Sequence, residues 1–462
     1  MRSRLTRRTI LGGMGVGLAA TFAAACGAGA GMAPAGDAPA ESEEMEAKEP
    51  AMMEKQKVLY WSHSTQPFHE GIGAEMVAEF NASQDAVEVF AVGTAYGDTK
   101  SKLPTVVAAG SAPDISFLDR YITKSHAAVG ATMDITPFVK ASAVMQPDDV
   151  WDRILNDVTY KGRHFGWPWG PDTRTLFLNH DVLIEVGIDP EAPIGDWEDF
   201  HSVSNKVLRR EGDKITRMGF VPNWGSAGII AGWMIPYWQQ GAELTSADET
   251  KATMDNAEMA AALEHSTRFY DEQGGWDTVQ AFREGVDVRL LFTQGGLGLY
   301  FDTYSTPREL KYREEFEKID YSVVFEPYPD DGEPATYGGG WSNVIPTGAK
   351  SAEGAFKFLE FLFMPPQDSG WASHWNRIPV RKSVGNSEDF IQGDPDRAHA
   401  IAEMPGAHWV VTAAGGPDIL GAHIQLSRDA WQHLKTIPEA MKEANAKTQQ
   451  LLDEWEANSV VQ

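Results

Sequence analysis

The sequence predicts an α/β protein, with helices packed on the faces of a parallel sheet, and three observations predict it. Short β-prone runs alternate with segments of helical apolar period. The 462 residues suffice for two or three compact units at roughly 100–200 residues each. Composition is that of a folded chain, 42% hydrophobic, 23% charged and 10% aromatic.

The elements follow in chain order. Lys57-Val58-Leu59-Tyr60-Trp61 reads as a first strand, and Glu70 to Asn81 carries Ile72, Met76, Val77 and Phe80 at helical spacing. Ala86 to Val92 is the second strand, Thr99 to Ala109 a helix closed by Gly110, and Asp114 to Leu118 the third strand. Further strands are predicted at Thr175 to Leu178, Met218 to Val221 and Leu297 to Phe301. Further helices are predicted after Asp196, over Ala257 to Glu272 and over Ala352 to Phe363. Asp255-Asn256 supplies an N-cap to the helix carrying Met259, Ala262, Leu263, Phe269 and Tyr270, and Gly274-Gly275 stops it. There is no internal repeat.

The N-terminus predicts export. Arg2, Arg4, Arg7 and Arg8 precede an apolar stretch, Thr9 to Ala25, of 17 residues with four glycines, too short and too Gly-rich for a spanning helix of about 20 apolar residues. Thr6-Arg7-Arg8-Thr9-Ile10-Leu11 looks like a twin-arginine signal, and Ala23-Ala24-Ala25-Cys26 resembles a lipobox, the site of cleavage and acylation in bacterial lipoproteins. Cys26 is the only cysteine, so no disulfide can form within the chain and lipidation is the role expected of it. Residues 1–25 are thus expected to be a signal peptide and residues 26–56 an acidic tether, whose Gly, Ala, Pro and Glu cannot bury enough surface to offset ordering. The net charge of −27 becomes −31 once the four arginines are removed. Such a field repels polyanions, so nucleic acid is not an expected partner.

The order of motifs beyond residue 57 resembles the family 1 extracellular solute-binding proteins of ABC importers, the maltose-binding-protein-like group. The resemblance rests on Gly110-Ser111-Ala112-Pro113-Asp114-Ile115, on Phe165-Gly166-Trp167-Pro168-Trp169-Gly170-Pro171-Asp172-Thr173-Arg174 leading to Leu176 through Leu183, and on Gly187-Ile188-Asp189-Pro190. Ile194 to Phe200, Phe292-Thr293-Gln294-Gly295, Gly338-Gly339-Gly340-Trp341-Ser342 and Ile378-Pro379-Val380-Arg381 complete it. It departs from the family where Asp196 replaces Thr. The resemblance implies a two-lobed periplasmic-binding-protein fold of type II with solute held between lobes, a permease as partner, no cofactor, and a monomer. Lobe 1 is expected at 57–170 plus 342–376 and lobe 2 at 174–340 plus 380–462. Hinge crossings are expected near Gly170-Pro171, Gly340-Trp341 and Ile378-Pro379, where glycine freedom and proline rigidity favour a hinge.

The residues themselves point to sugar. There are 15 tryptophans, and Trp61, Trp167, Trp169, Trp224, Trp341 and Trp375 lie in segments that read as loops. Indole faces match the C–H faces of sugar rings, while Asp, Asn and Arg match the hydroxyls. Candidate ligand contacts are Asp119, just past the third strand; Asp172; Asn223 with Trp224; Asp302; and Arg377 and Arg381. The resemblance adds His63 and Ser64 after the first strand, and Tyr304 beside Asp302. Each has a plainer alternative: an Asp119–Arg120 surface ion pair, a turn or helix cap for Asp172 and Asp302, a structural His63, or inter-lobe salt bridges for the arginines. Trp409, Trp431 and Trp455 read as packing residues of C-terminal helices.

Two other readings stay open. The same fold could bind a glycerol-phosphate-type solute. A secreted glycoside hydrolase would need two carboxylates about 5–10 Å apart, yet pairs such as Glu198-Asp199 and Glu454 with Glu456 fall on helix surfaces where neighbours diverge. No His-Glu-x-x-His, Gly-x-Ser-x-Gly or P-loop occurs, so neither an enzyme nor a metal site is expected, and the leader and tether methionines are not expected to bind copper.

Overall fold

The computed structural model describes residues 55–62, 67–212, 214–222, 228–309, 311–409 and 413–461. The signal peptide, Cys26, most of the tether, His63, Ser64, Asn223 and Trp224 lie outside the described residues.

Twelve strands are present among them: β1 Gln56–Ser62, β2 Val87–Gly93, β3 Ile115–Asp119, β4 Thr159–Tyr160, β5 Arg163–His164, β6 Trp167–Asn179, β7 Arg209–Glu211, β8 Lys214–Arg217, β9 Leu299–Thr303, β10 Tyr321–Val324, β11 Thr336–Val344 and β12 Ala407–His408. Eight form one sheet in the order β10-β6-β11-β3-β1-β2, with β9 on β6 and β12 on β11. The expected parallel pairing holds for β1 with β2 and with β3. Around it the sheet is mixed, because β11 runs antiparallel to both β3 and β6, and β6 antiparallel to β9 and β10.

The reason lies in two long strands. β6 is buried along all 13 residues and β11 along all nine, and each spans two neighbourhoods. The first half of β6 pairs with β11 (Trp169↔Trp341, Asp172↔Gly339), and its second half pairs with β9 and β10. β11 likewise runs from β12 at Thr336 to β3 at Trp341–Val344. These two strands therefore carry the chain between two cores.

The first core gathers Val58, Phe80, Val89, Phe117, Trp167, Trp169, Trp341 and Phe358. The second gathers Phe177, Phe200, Trp233, Phe269, Phe292, Phe301, Leu426 and Trp431. Residues 380–404, assigned from sequence to lobe 2, place Val380, Phe390, Ala400, Ile401 and Met404 in the first core. Arg381 anchors that segment: its guanidinium donates to the carbonyls of Phe363 at 2.8 Å and Val144 at 2.7 Å and pairs with Asp149 at 2.9 Å.

Local capping explains several element starts. Asn256 Oδ1 accepts from Met259 N and opens the helix Ala257–Glu272, and Asp196 accepts from Asp199 N to open Trp197–Val207. Met218 to Val221 makes only a bridge, Met218 with Leu297, since the local strand is β8. Among the described residues no helix is long and apolar enough to cross a membrane.

Candidate functional site

The segments that read as tryptophan loops are strand and helix. Trp61 lies on β1, Trp167 and Trp169 on β6, Trp341 on β11, and Trp375 closes the helix Pro365–Trp375. Their Gly and Pro neighbours signal turns in sequence, but here they occupy strands whose partners supply the order. Trp167, Trp169, Trp341 and Trp375 are all buried.

Four indoles nonetheless converge where β6 and β11 cross. Trp371 lies 4.5 Å from Trp169 and stacks on Trp375 at 5.0 Å between ring centres, while Trp341 meets Trp375 edge-on at 5.6 Å. Arg377 lies over Trp341 at 4.6 Å, within cation–π range. Its guanidinium also pairs with Asp172, which Arg174 engages from its own strand. Asp172 is 2% exposed, so two arginines neutralise a carboxylate that desolvation alone would penalise. Beside this cluster sits a cavity of about 30 Å³ lined by Tyr60, Ser62, Met76, Phe117, Trp169 and Trp371. The buried Ser62 hydroxyl there has no hydrogen-bond partner.

Backbone geometry makes room for the cluster. Gly340 has φ +126°, and a Cβ there would stand 2.7 Å from Arg120 Nη1 and 2.9 Å from the carbonyl of Gly170. Gly170, at φ +51°, admits the Trp371 ring where a Cβ would stand. The third expected crossing is also tied in here, since Ile378 N donates to Pro171 O at 2.8 Å.

The strand β3 delivers a second set of groups to the same level. Asp119, opposite Trp341 in register, is the last residue of β3 and pairs with Lys100, not with Arg120. Arg120 turns inward: it is 1% exposed, donates to Asp157 at 2.7 Å and lies over Trp409 at 5.1 Å. Burial lowers its pKa. Trp409 stacks on Tyr337 at 5.2 Å, and Arg174 lies over the Tyr337 ring at 4.7 Å. Burial pushes the Tyr337 hydroxyl up to about 12. Two donors in this set lack partners, Arg120 Nη1 and Trp409 Nε1, and buried polar groups without partners are rare in proteins.

Of the residues singled out from sequence, the structure brings together Asp119, Trp169, Asp172, Trp341, Trp375 and Arg377. It does not bring in four others. Trp167 packs edge-on against Phe363 at 5.0 Å. Asp302 is fully buried within β9, joined to Arg289 at 2.7 Å and to the Tyr300 hydroxyl. Tyr304 belongs to the first core, with Arg308 beside its ring, and Arg381 is committed to the anchoring bonds given above. Lys100, Arg120, Arg174, Tyr337, Trp371 and Trp409 were not singled out as ligand contacts. Trp371 sits four residues before Trp375 on one helix face, a signal that was available. Trp409 gave none, because it follows a two-residue strand.

Among the described residues no cluster of three or more His, Cys, Asp or Glu could hold a metal. The arrangement offers aromatic faces, paired charges and two unpartnered donors.

The profile of the bacterial extracellular solute-binding protein family matches residues 75–399. The chain belongs to this family. Relatives of this solute-binding protein include a binding protein of Brucella abortus (strain 2308), 22% identical over 409 residues and spanning 86% of this chain and 92% of the relative. Another is the sn-glycerol-3-phosphate-binding periplasmic protein of Escherichia coli (strain K12), 22% identical over 428 residues, 86% and 94% covered. Solved structures sharing the fold include the cyclic alpha-maltosyl-1,6-maltose binding protein of Arthrobacter globiformis, with TM-score 0.71, 21% identity and 87% and 99% coverage. The sugar-binding protein MalE of Xanthomonas citri gives TM-score 0.74, 19% identity and 87% and 98% coverage. The two-lobed, maltose-binding-protein-like α/β fold is therefore the fold of this solute-binding protein.

Proposed function

We propose that this protein captures a sugar, mono- or oligosaccharide, at the crossing of β6 and β11 and delivers it to the permease of an ABC importer without chemical change. The observation that carries the reading is the convergence of Trp169, Trp341, Trp371 and Trp375 with Asp172 and Arg377. Ring faces stack on indole for roughly 0.5–1.5 kcal/mol each beyond area burial. Hydroxyls that bond to charged groups add about 1.5–3 kcal/mol each. Two platforms and four such bonds support micromolar affinity. The sugar-binding neighbours in fold support the same reading. Acylation at Cys26 would hold the mature monomer at the outer face of the membrane.

A second reading has its own support. Arg120 Nη1 and Trp409 Nε1 are both donors, and the oxygens of a phosphate dianion only accept, so a glycerol-phosphate solute matches them too; the Escherichia coli relative binds sn-glycerol-3-phosphate. A thermal-shift panel of maltose, mannobiose, tagatose, glucose and sn-glycerol-3-phosphate separates the two. Stabilisation by a sugar, with the sugar recovered intact, supports the proposal. Stabilisation by the phosphate alone replaces it with the second reading, and hydrolysis of glycosides lost on substituting one carboxylate rejects both.

A further inference from the structure

Away from the tryptophan cluster, three ion pairs of one polarity join the two halves. Lys124, in the helix Thr123–Ala128 just after β3, pairs with Glu249. Arg153, in the helix Asp152–Asn156 whose Ile154 belongs to the first core, pairs with Glu243 at 3.2 Å and reaches His408 Nδ1 at 3.0 Å. Lys161, in the two-residue turn between β4 and β5, pairs with Glu456 at 2.9 Å. All three cations stand on the first half. The anions follow the helix Gly228–Gln239 or lie on the helix Ile437–Asn458, which contribute Trp233, Leu451 and Leu452 to the second core.

Two features mark these pairs as more than scattered surface charge. Lys124 is 2% exposed, so its charge is stable in this place only while Glu249 faces it. Glu249 and Lys161 each hold left-handed backbone, at φ +57° and +47°, a conformation that non-glycine residues keep only where surroundings impose it. Between the pairs runs a groove of about 480 Å³ lined by Lys124, Tyr160, Lys161, Asp248, Glu249 and Trp455. The halves also meet here through a small apolar cluster of Ala127, Ala128, Tyr160 and Phe165 with Ala414 and Val461. Further hydrogen bonds join them: Val460 N to Ala128 O at 2.8 Å, Gly415 N to Ser125 Oγ at 3.0 Å, Tyr160 OH to Ser459 Oγ at 3.2 Å and Lys161 Nζ to Val461 O at 2.9 Å.

We propose that Lys124–Glu249, Arg153–Glu243 and Lys161–Glu456 form an electrostatic latch that sets the separation of the two halves, so that ionic strength tunes solute capture. In the arrangement described, the cavity beside the tryptophans holds about 30 Å³, room for one water and not for a sugar ring. A solute must therefore bind a different separation. It can shift the equilibrium only by its differential affinity, and every contact favouring the latched separation is subtracted from it. Loosening the latch tightens binding, by a factor of about 1.5–5 for each of the two exposed pairs.

The test needs no solute, so it is independent of the sugar reading. Spin labels on Asn156→Cys and Glu454→Cys, in full-length Cys26→Ser protein, report the distance across the groove. Going from about 0.01 M to about 1 M salt shortens the screening length from about 30 Å to about 3 Å, and the distance distribution should broaden and shift. Arg153→Gln with Lys161→Gln should give the same shift at low salt, and both side chains are exposed enough that folding is not at stake. Arg153→Glu should shift it too, and adding Glu243→Arg should restore the original distribution. An unchanged distribution in high salt and in the double variant overturns the latch, as does a charge swap that fails to restore.

Discussion

Glu326→Gln should stabilise this protein by several kcal/mol at pH 8 and by under about 1 kcal/mol at pH 5. Glu326 follows β10 and is 5% exposed, and burial raises its carboxyl from 4.5 to about 8. The folded state thus holds a proton between those values that the unfolded chain has released, and stability must fall as pH rises through that window. At about 1.36 kcal/mol per unit, the loss reaches roughly 4 kcal/mol by pH 8. Gln matches the neutral carboxyl in shape and carries no charge to desolvate. Urea unfolding of both proteins at pH 5 and pH 8 provides the measurement. The two curves should lie within about 1 kcal/mol at pH 5, and the variant should be about 2–4 kcal/mol more stable at pH 8. An equal difference at both pH values would refute the argument, because the substitution would then be acting through packing and not through a proton.

Other outcomes follow from the same geometry. Gly340→Ala places a methyl 2.7 Å from Arg120 Nη1 at φ +126° and should cost about 2–5 kcal/mol in chemical denaturation; wild-type stability would show that the crossing is not sterically tight. Trp371→Ala should cost about 3–5 kcal/mol together with affinity, since the ring is both core and platform, whereas Trp341→Phe should retain the fold and weaken sugar binding; intrinsic fluorescence titration reads both. His423, buried and lowered to about 3 by desolvation, binds its proton in the unfolded chain first, so stability should fall below about pH 6.5, by roughly 2 kcal/mol at pH 5; His423→Asn should flatten that part of the profile. Cys26→Ser should move the protein into the soluble fraction with its melting temperature unchanged, as seen by fractionation and calorimetry.

How much of this was legible in the sequence depended on whether order was local. The helix Ala257–Glu272 was readable to the residue because its cap, Asn256, and its stop, Gly274-Gly275, are neighbours in sequence. β1, β2 and β3 were readable because each is a short apolar run between turn residues. β6 was readable only in its second half, at Thr175 to Leu178, and β11 not at all. Gly170-Pro171 and Gly338-Gly339-Gly340 are turn signals, and they lie within strands only because each strand covers the other's irregularity, with a bulge between Gly339 and Trp341. The site inherited that error, since the tryptophans were placed on loops and instead lie on buried strands and a helix. Asp172 and Arg377 were singled out separately, and their pairing across 205 positions of chain has no sequence signal at all. Asp302 looked like a strand-end ligand because Arg289, which engages it, lies 13 residues earlier in a helix of its own.

The placement of charge is what ties the fold to its use. Asp172 with Arg174 and Arg377, Asp119 with Lys100, and Arg120 with Asp157 all lie at or beside the strands that cross between halves. A scaffold selected for stability alone would fill such places with apolar side chains, because burying an ion pair typically returns no more than its desolvation costs. Ions are not confined to that layer, since Asp302 with Arg289 is buried beside the second core, but Phe177, Phe200 and Trp233 in one core and Val58 and Ile345 in the other are fully buried. The pairs at the shared strands are the ones that, on the proposed reading, a polar solute would reach, replacing one partner of a pair without exposing a core. The two unpartnered donors, Arg120 Nη1 and Trp409 Nε1, lie in that same layer. A solute oxygen that satisfies them recovers about 1–3 kcal/mol for each donor otherwise left unmet. This gain is absent from every arrangement in which the solute is elsewhere, and a differential gain of that kind is what a binding protein needs to couple capture to movement of its lobes.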